Sequence, residues 1–460
     1  MRILIFLILF LSSCQSLDKV AGEREFEVNE EEFSFMLYDL DSKEIVSSYN
    51  ENKILAPASV FKLLTAYAYL ETIGHQKRFK TKIYIKGQVV KGVLKGDLII
   101  RGGGDPSLNY QDLYNIASLI KKNGIKKIEG NLLYKDDFLA SFSEINDEQP
   151  DAGYNPGISG LVLQNSKFIV ESNFRKKEFF TVPRVDFMNF NFSKKVREVS
   201  YLGKRKWKLG RSRKYILPIR DPSYFVANML KDILLYQGIK VKAVKKVTKI
   251  DKSRFLLSYK SKSLIEILRY NLGYSHNLTS EILLLHFAKA SKCRSSSLEQ
   301  ASLCLRKWYE KRFPNLDWRK LYWANGSGLS LDTGLTAKHL VAILEKYYKK
   351  IYGNNHAISL LPISGLNGTL RNRFPESSLN IWAKTGRMNF VSSLAGFLFD
   401  DKHRYAFVIF ANDSDNRKIL DMAKIESNHS KHRKMIKKAK IWKKEVYEKQ
   451  KELMSLWLEK

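Results

Sequence analysis

The hydrophobic and polar positions of this 460-residue chain define regions with different periodicities. Apolar and aromatic residues partly alternate with polar ones from Phe33 to Leu40, and Ile45 to Tyr49 follows after a polar turn, which predicts two strands. An apolar-rich run from Val60 to Ile73, closed by Gly74, predicts a helix. We therefore expect the order strand, strand, helix over residues 33–73.

The middle region, residues 80–255, instead contains short alternating runs separated by turns rich in glycine, such as residues 102–106. This pattern indicates a mainly β segment that is long enough to form one or two inserted domains. The predicted strands are Lys82 to Ile85, Asp97 to Arg101, Lys127 to Tyr134, Phe168 to Ser172 and Lys240 to Val247, and the predicted helices are Leu113 to Lys121 and Pro222 to Tyr236.

Helical periodicity returns from about residue 261 and is followed by apolar strands. The order predicts an α/β protein, more specifically α+β, in which residues 31–80 and 256–423 form one domain interrupted by residues 81–255. The predicted helices are Leu264 to Tyr270, Leu278 to Ala290, Leu298 to Arg312 and Ala337 to Tyr348, and the predicted strands are Leu379 to Ala383, Val391 to Phe399 and Tyr405 to Ala411.

Residues 424–460 form a basic tail with apolar residues at helical spacing. Two interpretations fit this pattern: an amphipathic helix on a membrane surface, or a terminal helix packed on the body with a solvated basic face. The second is favoured. The recurring apolar residues are Met435, Trp442, Val446, Leu453 and Trp457.

The first 13 residues are typical of an export signal. Met1 and Arg2 precede an apolar stretch, Ile3 to Phe10, that is too short to remain as a membrane-spanning helix. Leu-Ser-Ser-Cys14 then resembles a bacterial lipobox, which implies cleavage before Cys14, a lipid on its sulfur, and residues 14–30 as a tether. The alternative is an ordinary signal peptide that happens to contain a cysteine. The lipoprotein is favoured, and Gln15 favours the outer membrane if the cell is Gram-negative.

Composition and charge add two open questions. Apolar residues make up 44% of the chain, as in a globular protein, and the net charge is +32. Such a charge suggests an anionic partner. The export signal argues against nucleic acid, so wall polymer or lipid headgroups are the better candidates. The alternative, favoured by the even spread of the charges, is that the protein is basic without a specific anionic partner.

Cys293 and Cys304 could form a disulfide in an oxidising compartment or remain two buried thiols.

Ser59 and Lys62 are the first candidate catalytic residues. Three residues apart on a helix, they share a face, and the first turn would favour developing negative charge on Ser59. A serine hydroxyl needs a base, and Lys62 can serve if burial lowers its pKa. The alternative, a helix-capping serine with an exposed lysine, fits most such pairs. Pro57 and Ala58 before the pair, and the apolar helix after it, favour the catalytic interpretation.

Two further motifs lie downstream. Ser275 and Asn277 precede an apolar helix and could relay a proton and orient Lys62, although this motif taken alone favours a plain helix cap. Lys384-Thr385-Gly386 follows a predicted strand, and there a charge and a hydroxyl could hold a substrate carboxylate while glycine admits a close backbone approach. The alternative is a turn after a strand.

These motifs in this order resemble those of the class C low-molecular-mass penicillin-binding proteins, serine peptidases that act as D-alanyl-D-alanine carboxypeptidases and endopeptidases. Residues 96–106, 325–330, 361–365 and 368–370 also resemble blocks of that family. The resemblance covers about residues 33–412. It implies a penicillin-binding, β-lactamase-like transpeptidase domain, an antiparallel sheet flanked by helices, with a mainly β inserted domain.

The resemblance also implies which residues form the site and what they bind. By this resemblance, the protein would act on peptidoglycan stem peptides, would be inhibited by β-lactams, and would need no metal or cofactor. Three departures stand out: His276 for Asp, Asn325 for Asp, and Arg387 for Thr. A β-lactamase or esterase on the same scaffold, or a silent cell-wall-binding lipoprotein, remains an alternative. The implied catalytic residues are Ser59, Lys62, Ser275, Asn277 and Lys384, and the implied substrate-binding residues are Thr385, Gly386 and Arg387.

Overall fold

The computed structural model describes residues 30–137, 139–147, 151–194, 199–426 and 428–459. Its strands are β1 (Phe33–Asp39), β2 (Ile45–Tyr49), β3 (Lys80–Val90), β4 (Val93–Arg101), β5 (Lys127–Ile128), β6 (Leu132–Lys135), β7 (Lys167–Asn173), β8 (Glu178–Val182), β9 (Asn189–Phe192), β10 (Val199–Tyr201), β11 (Lys206–Leu209), β12 (Lys214–Pro218), β13 (Val244–Lys246), β14 (Arg254–Lys260), β15 (Ile351–Tyr352), β16 (Asn355–His356), β17 (Ile381–Met388), β18 (Val391–Phe399) and β19 (Arg404–Asn412). Its helices are α1 (Lys62–Ile73), α2 (Tyr110–Lys122), α3 (Pro222–Tyr236), α4 (Leu264–Tyr274), α5 (Asn277–Ala290), α6 (Leu298–Arg312), α7 (Ala337–Tyr348), α8 (Ser414–Ile425) and α9 (His429–Leu458).

A five-stranded antiparallel sheet, in the order β17-β18-β19-β1-β2, carries the motif residues of β17. Successive side chains of β19 point to opposite faces, so Val408 and Phe410 pack towards α1, α5 and α7 while Phe407 and Ile409 pack on the other side. Both faces are therefore covered, which explains why β18 and β19 are almost continuously apolar.

The helical layer behind the sheet is joined by a disulfide. Cys293, just after α5, is bonded to Cys304 of α6, with 6.4 Å between their Cα atoms. Helix α5 packs against both α1 and α6. The bridge therefore ties together the two helices next to the one that follows Ser59, and the two-thiol alternative does not apply.

A second hydrophobic core is built by the middle of the chain. The β13-β6-β4-β3-β14 sheet, with β5 beside β4, packs against α2 and α3. The chain enters this sheet at Lys80 and returns through β14, which pairs with β3 as far as Lys260. Two smaller sheets, β10-β11-β9 and β12-β7-β8, complete this region.

Two predicted strands of this region were too long. The run from Lys127 to Tyr134 is split into β5 and β6 around Gly130, because the backbone of Gly130 lies against that of Gly96. A Cβ on Gly130 would lie 2.3 Å from the Gly96 carbonyl oxygen. The run from Lys240 to Val247 forms a strand only at β13, where it pairs with β6.

The C-terminal helix α9 packs on the face of the five-stranded sheet opposite to α1, α5 and α7. Trp442, Val446 and Trp457 are buried there, and Trp457 contacts Phe407 with ring centroids 5.9 Å apart. In this structure the tail is therefore a terminal helix packed on the body, the second of the two interpretations of its sequence. Within the described ranges, no helix combines the length and apolarity needed to cross a bilayer. Cys14 and the predicted export signal lie outside the described residues.

Candidate active site

Ser59 lies in a short turn that leads into α1. Residues Ala58–Phe61 form a single 3-10 turn, and Lys62 begins the α-helix. Ala58 has a φ of +44°, in the left-handed region that residues with a side chain rarely adopt. Gly328 packs directly against this turn, and a Cβ on Gly328 would lie 2.0 Å from the Ala58 carbonyl oxygen. Strained backbone fixed by close packing is common at functional sites.

The Lys62 amine is fully buried and faces Ser59. Its Nζ donates to Ser59 Oγ at 2.7 Å, to Asn277 Oδ1 at 2.8 Å and to the Ser327 carbonyl oxygen at 2.8 Å. Burial lowers the pKa of Lys62 to about 7, against the opposing effect of the Glu281 carboxylate. Lys62 therefore exchanges between charged and neutral forms near neutral pH, as a general base requires.

The second motif bridges two helices. Ser275 ends α4 in the left-handed conformation, with φ 59° and ψ 49°, and its side chain lines the cleft over Ser59. Asn277 begins α5, and its Nδ2 donates to the Tyr154 carbonyl oxygen at 2.9 Å. The Asn277 carboxamide thus connects Lys62 to the inserted segment.

His276, a departure from the family pattern, is neutral in this setting. Its Nδ1 lies 2.9 Å from Thr279 Oγ1 within the first turn of α5. Burial and the nearby charges of Lys62 and Lys167 lower the pKa of His276 to about 3. An imidazole in this state adds no charge beside Lys62.

The third motif lies inside strand β17, not after a strand as predicted. Lys384 pairs with Ala395 and Thr385 with Leu394 of β18, whereas Leu379, with φ +70°, precedes the strand. Lys384 Nζ is buried and donates to the Thr385 carbonyl oxygen at 2.6 Å. Burial, and then the charges of Lys62 and Arg387, lower the pKa of Lys384 well below its ordinary value.

Thr385 and Gly386 set the distance between β17 and the serine. Thr385 Oγ1 donates to Thr369 Oγ1 at 2.9 Å. A Cβ on Gly386 would lie 2.6 Å from the Pro57 carbonyl oxygen and 3.0 Å from the Ser59 nitrogen. Only glycine permits this approach, which brings β17 alongside the Ser59 backbone.

These residues surround a cleft of about 570 Å³. Of the predicted site residues, Lys62, Lys384 and Gly386 do not line the cleft, and the first two are fully buried. The side chains of the other five line it. Within the described ranges, no group of three or more His, Cys, Asp and Glu side chains is arranged to hold a metal. The lining residues are Ser59, Asn146, Tyr154, Ser275, Asn277, Gly328, Leu329, Thr369, Thr385, Arg387, Met388, Asn389, Arg417 and Lys443.

Glu281 is a residue of the site that the sequence analysis missed. Its two carboxylate oxygens accept from the backbone nitrogens of Gly326 at 2.8 Å and Ser327 at 2.9 Å. It is fully buried, and burial raises its pKa. Glu281 thereby holds the segment whose Ser327 carbonyl accepts from Lys62. It is the only acidic residue of α5. An acidic residue within this largely apolar helix was the one sign in the sequence that it belongs to the site.

The cleft also takes residues from two regions that the motifs do not mark. Asn146 and Tyr154 come from the inserted segment, and Arg417 and Lys443 from α8 and α9. Asn146 Nδ2 donates to the Leu329 carbonyl, which joins the insert to the wall of the cleft. Nothing in the local sequence distinguishes Arg417 and Lys443 from the many other basic residues of the chain.

Comparison with known proteins identifies the family. The model of the D-Ala-D-Ala carboxypeptidase 3 (S13) family matches residues 14–197 and 207–429. D-alanyl-D-alanine carboxypeptidase DacB of Haemophilus influenzae is 26% identical over 414 residues, which cover 82% of this chain and 85% of that protein. Penicillin-sensitive carboxypeptidase A of Dictyostelium discoideum is 24% identical over 435 residues, 82% of each chain.

Solved structures confirm the predicted fold class. The crystal structure of penicillin binding protein 4 (dacB) from Haemophilus influenzae superposes with a TM-score of 0.72 at 23% identity, over 83% of this chain and 90% of that one. The penicillin G-acylated Bd3459 predatory endopeptidase of Bdellovibrio bacteriovorus gives 0.53 at 14% identity, over 92% of both chains. The family resemblance is thus confirmed, and the chain belongs to the D-Ala-D-Ala carboxypeptidase 3 (S13) family.

Proposed function

We propose that this serine carboxypeptidase cleaves peptidoglycan stem peptides through an acyl-enzyme on Ser59. The observation that carries the proposal is the buried Lys62 amine, 2.7 Å from Ser59 Oγ and with a pKa of about 7. An amine in this position can remove the hydroxyl proton at neutral pH. A catalytically silent lipoprotein would have no need to bury an amine against a serine, so the enzyme is favoured.

The chemistry then follows in two steps. Ser59 Oγ forms a bond to the carbonyl carbon of the penultimate D-Ala as its proton passes to Lys62, with the backbone N–H groups of Ser59 and Arg387 stabilising the oxyanion. The amide C–N bond then breaks as the proton held by Lys62 passes through Ser275 to the leaving amine. Water next attacks the ester carbonyl and breaks the bond to Ser59 Oγ; its oxygen stays on the peptide carboxyl group, and one of its protons returns to Ser59 Oγ.

The remaining motif residues position the substrate. Thr385 binds the carboxylate of the leaving group, with the buried Lys384 amine behind it, and Asn277 holds Lys62 in place. Removal of a terminal D-Ala and cleavage of a crosslink share this chemistry, since both break an amide after D-Ala and leave an amine beside a carboxylate.

Hydrolysis of synthetic stem peptides tests the proposal. The wild-type protein should release D-Ala from a pentapeptide stem or an amine from a crosslinked stem, and Ser59→Ala should do neither while keeping the wild-type melting temperature. The proposal fails if Ser59→Ala retains the wild-type rate, or if the wild type cleaves penicillin with rapid turnover but cleaves no stem peptide, as expected of a β-lactamase.

Export and lipidation at Cys14 complete the proposal. The family model matches from residue 14, the predicted first residue of the mature chain, which supports the division of residues 1–13 from the rest. A lipid there would tether the enzyme at the periplasmic face of a membrane, with the outer membrane favoured. Cys14→Ala should then release the protein from membranes in a fractionation, and continued membrane binding would contradict the anchor. We also propose the domain boundaries predicted from the sequence, in which residues 81–255 interrupt a domain formed by residues 31–80 and 256–423.

A further inference from the structure

Basic side chains from three elements line one end of the cleft: Arg387 of β17, Arg417 of α8 and Lys443 of α9. Arg417 Nε is paired with Asp421 at 2.8 Å, and Lys443 Nζ donates to Asn389 Oδ1 at 3.2 Å. Within the described residues, no carboxylate oxygen lies within 4.0 Å of a nitrogen of the Arg387 or Lys443 side chain. The cleft therefore contains cationic groups without an internal counter-ion.

The same groups repel one another. Burial, followed by the charges of Arg387 and Arg417, lowers the pKa of Lys443. Behind them, burial and the charge of Arg387 lower the pKa of Arg373 to about 9. Arg387 is exposed and Lys443 is half-buried, so a ligand entering the cleft can reach both side chains. An anion bound between them would offset their mutual repulsion, so the arrangement suits an anionic ligand.

The position of the cluster indicates which part of a substrate it would meet. Arg387 lies two residues beyond Thr385, so both side chains project from the same face of β17 into the cleft. Asn389, the partner of Lys443, lies in the hairpin just after β17. The cluster thus continues from Thr385, which in the proposed function holds the carboxylate of the leaving group.

Helix α9 presents Lys443 rigidly. Trp442 beside it is buried against the sheet. One turn further on, the Tyr447 hydroxyl accepts from the Phe374 nitrogen at 3.2 Å, and one turn beyond that Gln450 Oε1 accepts from Arg373 Nη2 at 2.6 Å. A side chain on an element held in this way is well placed to select a ligand. The family model ends at residue 429, before most of this helix.

We propose that Arg387 and Lys443, with Arg417 beside them, form a second anion subsite for an additional carboxylate of the leaving peptide. This inference rests on the proposed function. A single terminal D-Ala carries only the carboxylate that Thr385 would hold. A second carboxylate is present when the leaving group is a whole stem peptide, so the subsite favours cleavage of crosslinks.

A matched pair of substrates tests the subsite: crosslinked stem dimers in which the leaving stem carries either D-glutamate with a free carboxylate or its carboxamide, D-isoglutamine. The wild type should prefer the carboxylate by about tenfold in kcat/KM, the size of one charge-assisted hydrogen bond. Lys443→Gln should bring this ratio close to one, and Lys443→Arg should restore most of it. The control is Lys444→Gln, an exposed neighbour on the same helix, which should keep the wild-type ratio.

The outcomes separate the two proposals. The subsite is overturned if the wild type cleaves both dimers equally, if Lys443→Gln keeps the wild-type ratio, or if only a pentapeptide is trimmed and no dimer is cut. In each of these cases the proposed function stands. If neither the dimers nor the pentapeptide is cleaved, the proposed function itself fails.

Discussion

At the scale of single residues, two buried amines, those of Lys62 and Lys384, distinguish the candidate site. Both are fully removed from water, and the charge of Lys62 is among the causes that lower the pKa of Lys384. Glu281 acts in the opposite direction on Lys62 and also holds the carbonyl to which Lys62 donates. The lowered pKa of Lys62 thus results from burial opposed by one buried carboxylate.

The rate of acylation should depend on pH through Lys62. Only its neutral form accepts the Ser59 proton, so the second-order rate constant for acylation by penicillin should fall below a midpoint near the pKa of about 7. Well below that midpoint it should fall by about tenfold per pH unit. Stopped-flow or quenched acylation between pH 5 and 9 measures this, with the melting temperature recorded at each pH. A rate constant that stays flat down to pH 5 in folded protein would contradict the role of Lys62.

Residue spacing predicted part of this network but not all of it. Ser59 and Lys62 were paired because residues three apart share a helix face, and their atoms do meet. Glu281 was missed because its role depends on the segment around Ser327, which is 46 residues further along the chain. Lys443 was missed because its distance to the cleft depends on where α9 packs. Contacts of this kind are set by tertiary structure and leave no local pattern.

At the scale of elements, the ends of helices were predicted best where neighbouring residues in the sequence determine them. Helix α3 begins at Pro222, where Asp221 caps the helix, and runs to Tyr236 as predicted. The Lys384 motif was instead placed after a strand, because its polar residues break the apolar run. Pairing with β18 continues the strand to Met388, and the buried polar side chains serve the site instead of ending the sheet.

The close approach of β17 to the Ser59 turn predicts the effect of Gly386→Ala. The new Cβ would meet the backbone of Pro57 and Ser59, which cannot move aside as a flexible side chain could. We expect the strand to shift away from Ser59 and kcat/KM to fall by about 100-fold, as a displacement of about 1 Å can cause. Steady-state hydrolysis of a stem peptide measures it.

Gly273→Ala is the matched control for that substitution. A Cβ at Gly273 in α4 would have nothing within 4 Å, and its φ is not in the left-handed region. This variant should keep kcat/KM within about twofold, since the added methyl group would meet no neighbouring atom although the residue is buried. Equal losses in the two variants would show that the approach of β17 is not what Gly386 protects.

At the scale of the whole molecule, the cleft forms where three distant parts of the chain meet. The five-stranded sheet and its helices supply Ser59 and the motifs, the inserted segment supplies Tyr154, and α9 supplies Lys443. The sequence predicted the interrupted order of these regions from their changing periodicity. It did not predict that the insert and the tail both reach the cleft, because the relative placement of separately packed regions depends on interfaces that periodicity does not encode.

Mass spectrometry of the intact protein after brief exposure to penicillin tests the central claim most directly. We expect one covalent penicilloyl group per molecule, located at Ser59 by peptide mapping and absent from Ser59→Ala. Its slow loss over time would reflect deacylation by water. An unmodified wild-type protein, or an adduct of equal yield on Ser59→Ala, would contradict the assignment of Ser59 as the nucleophile.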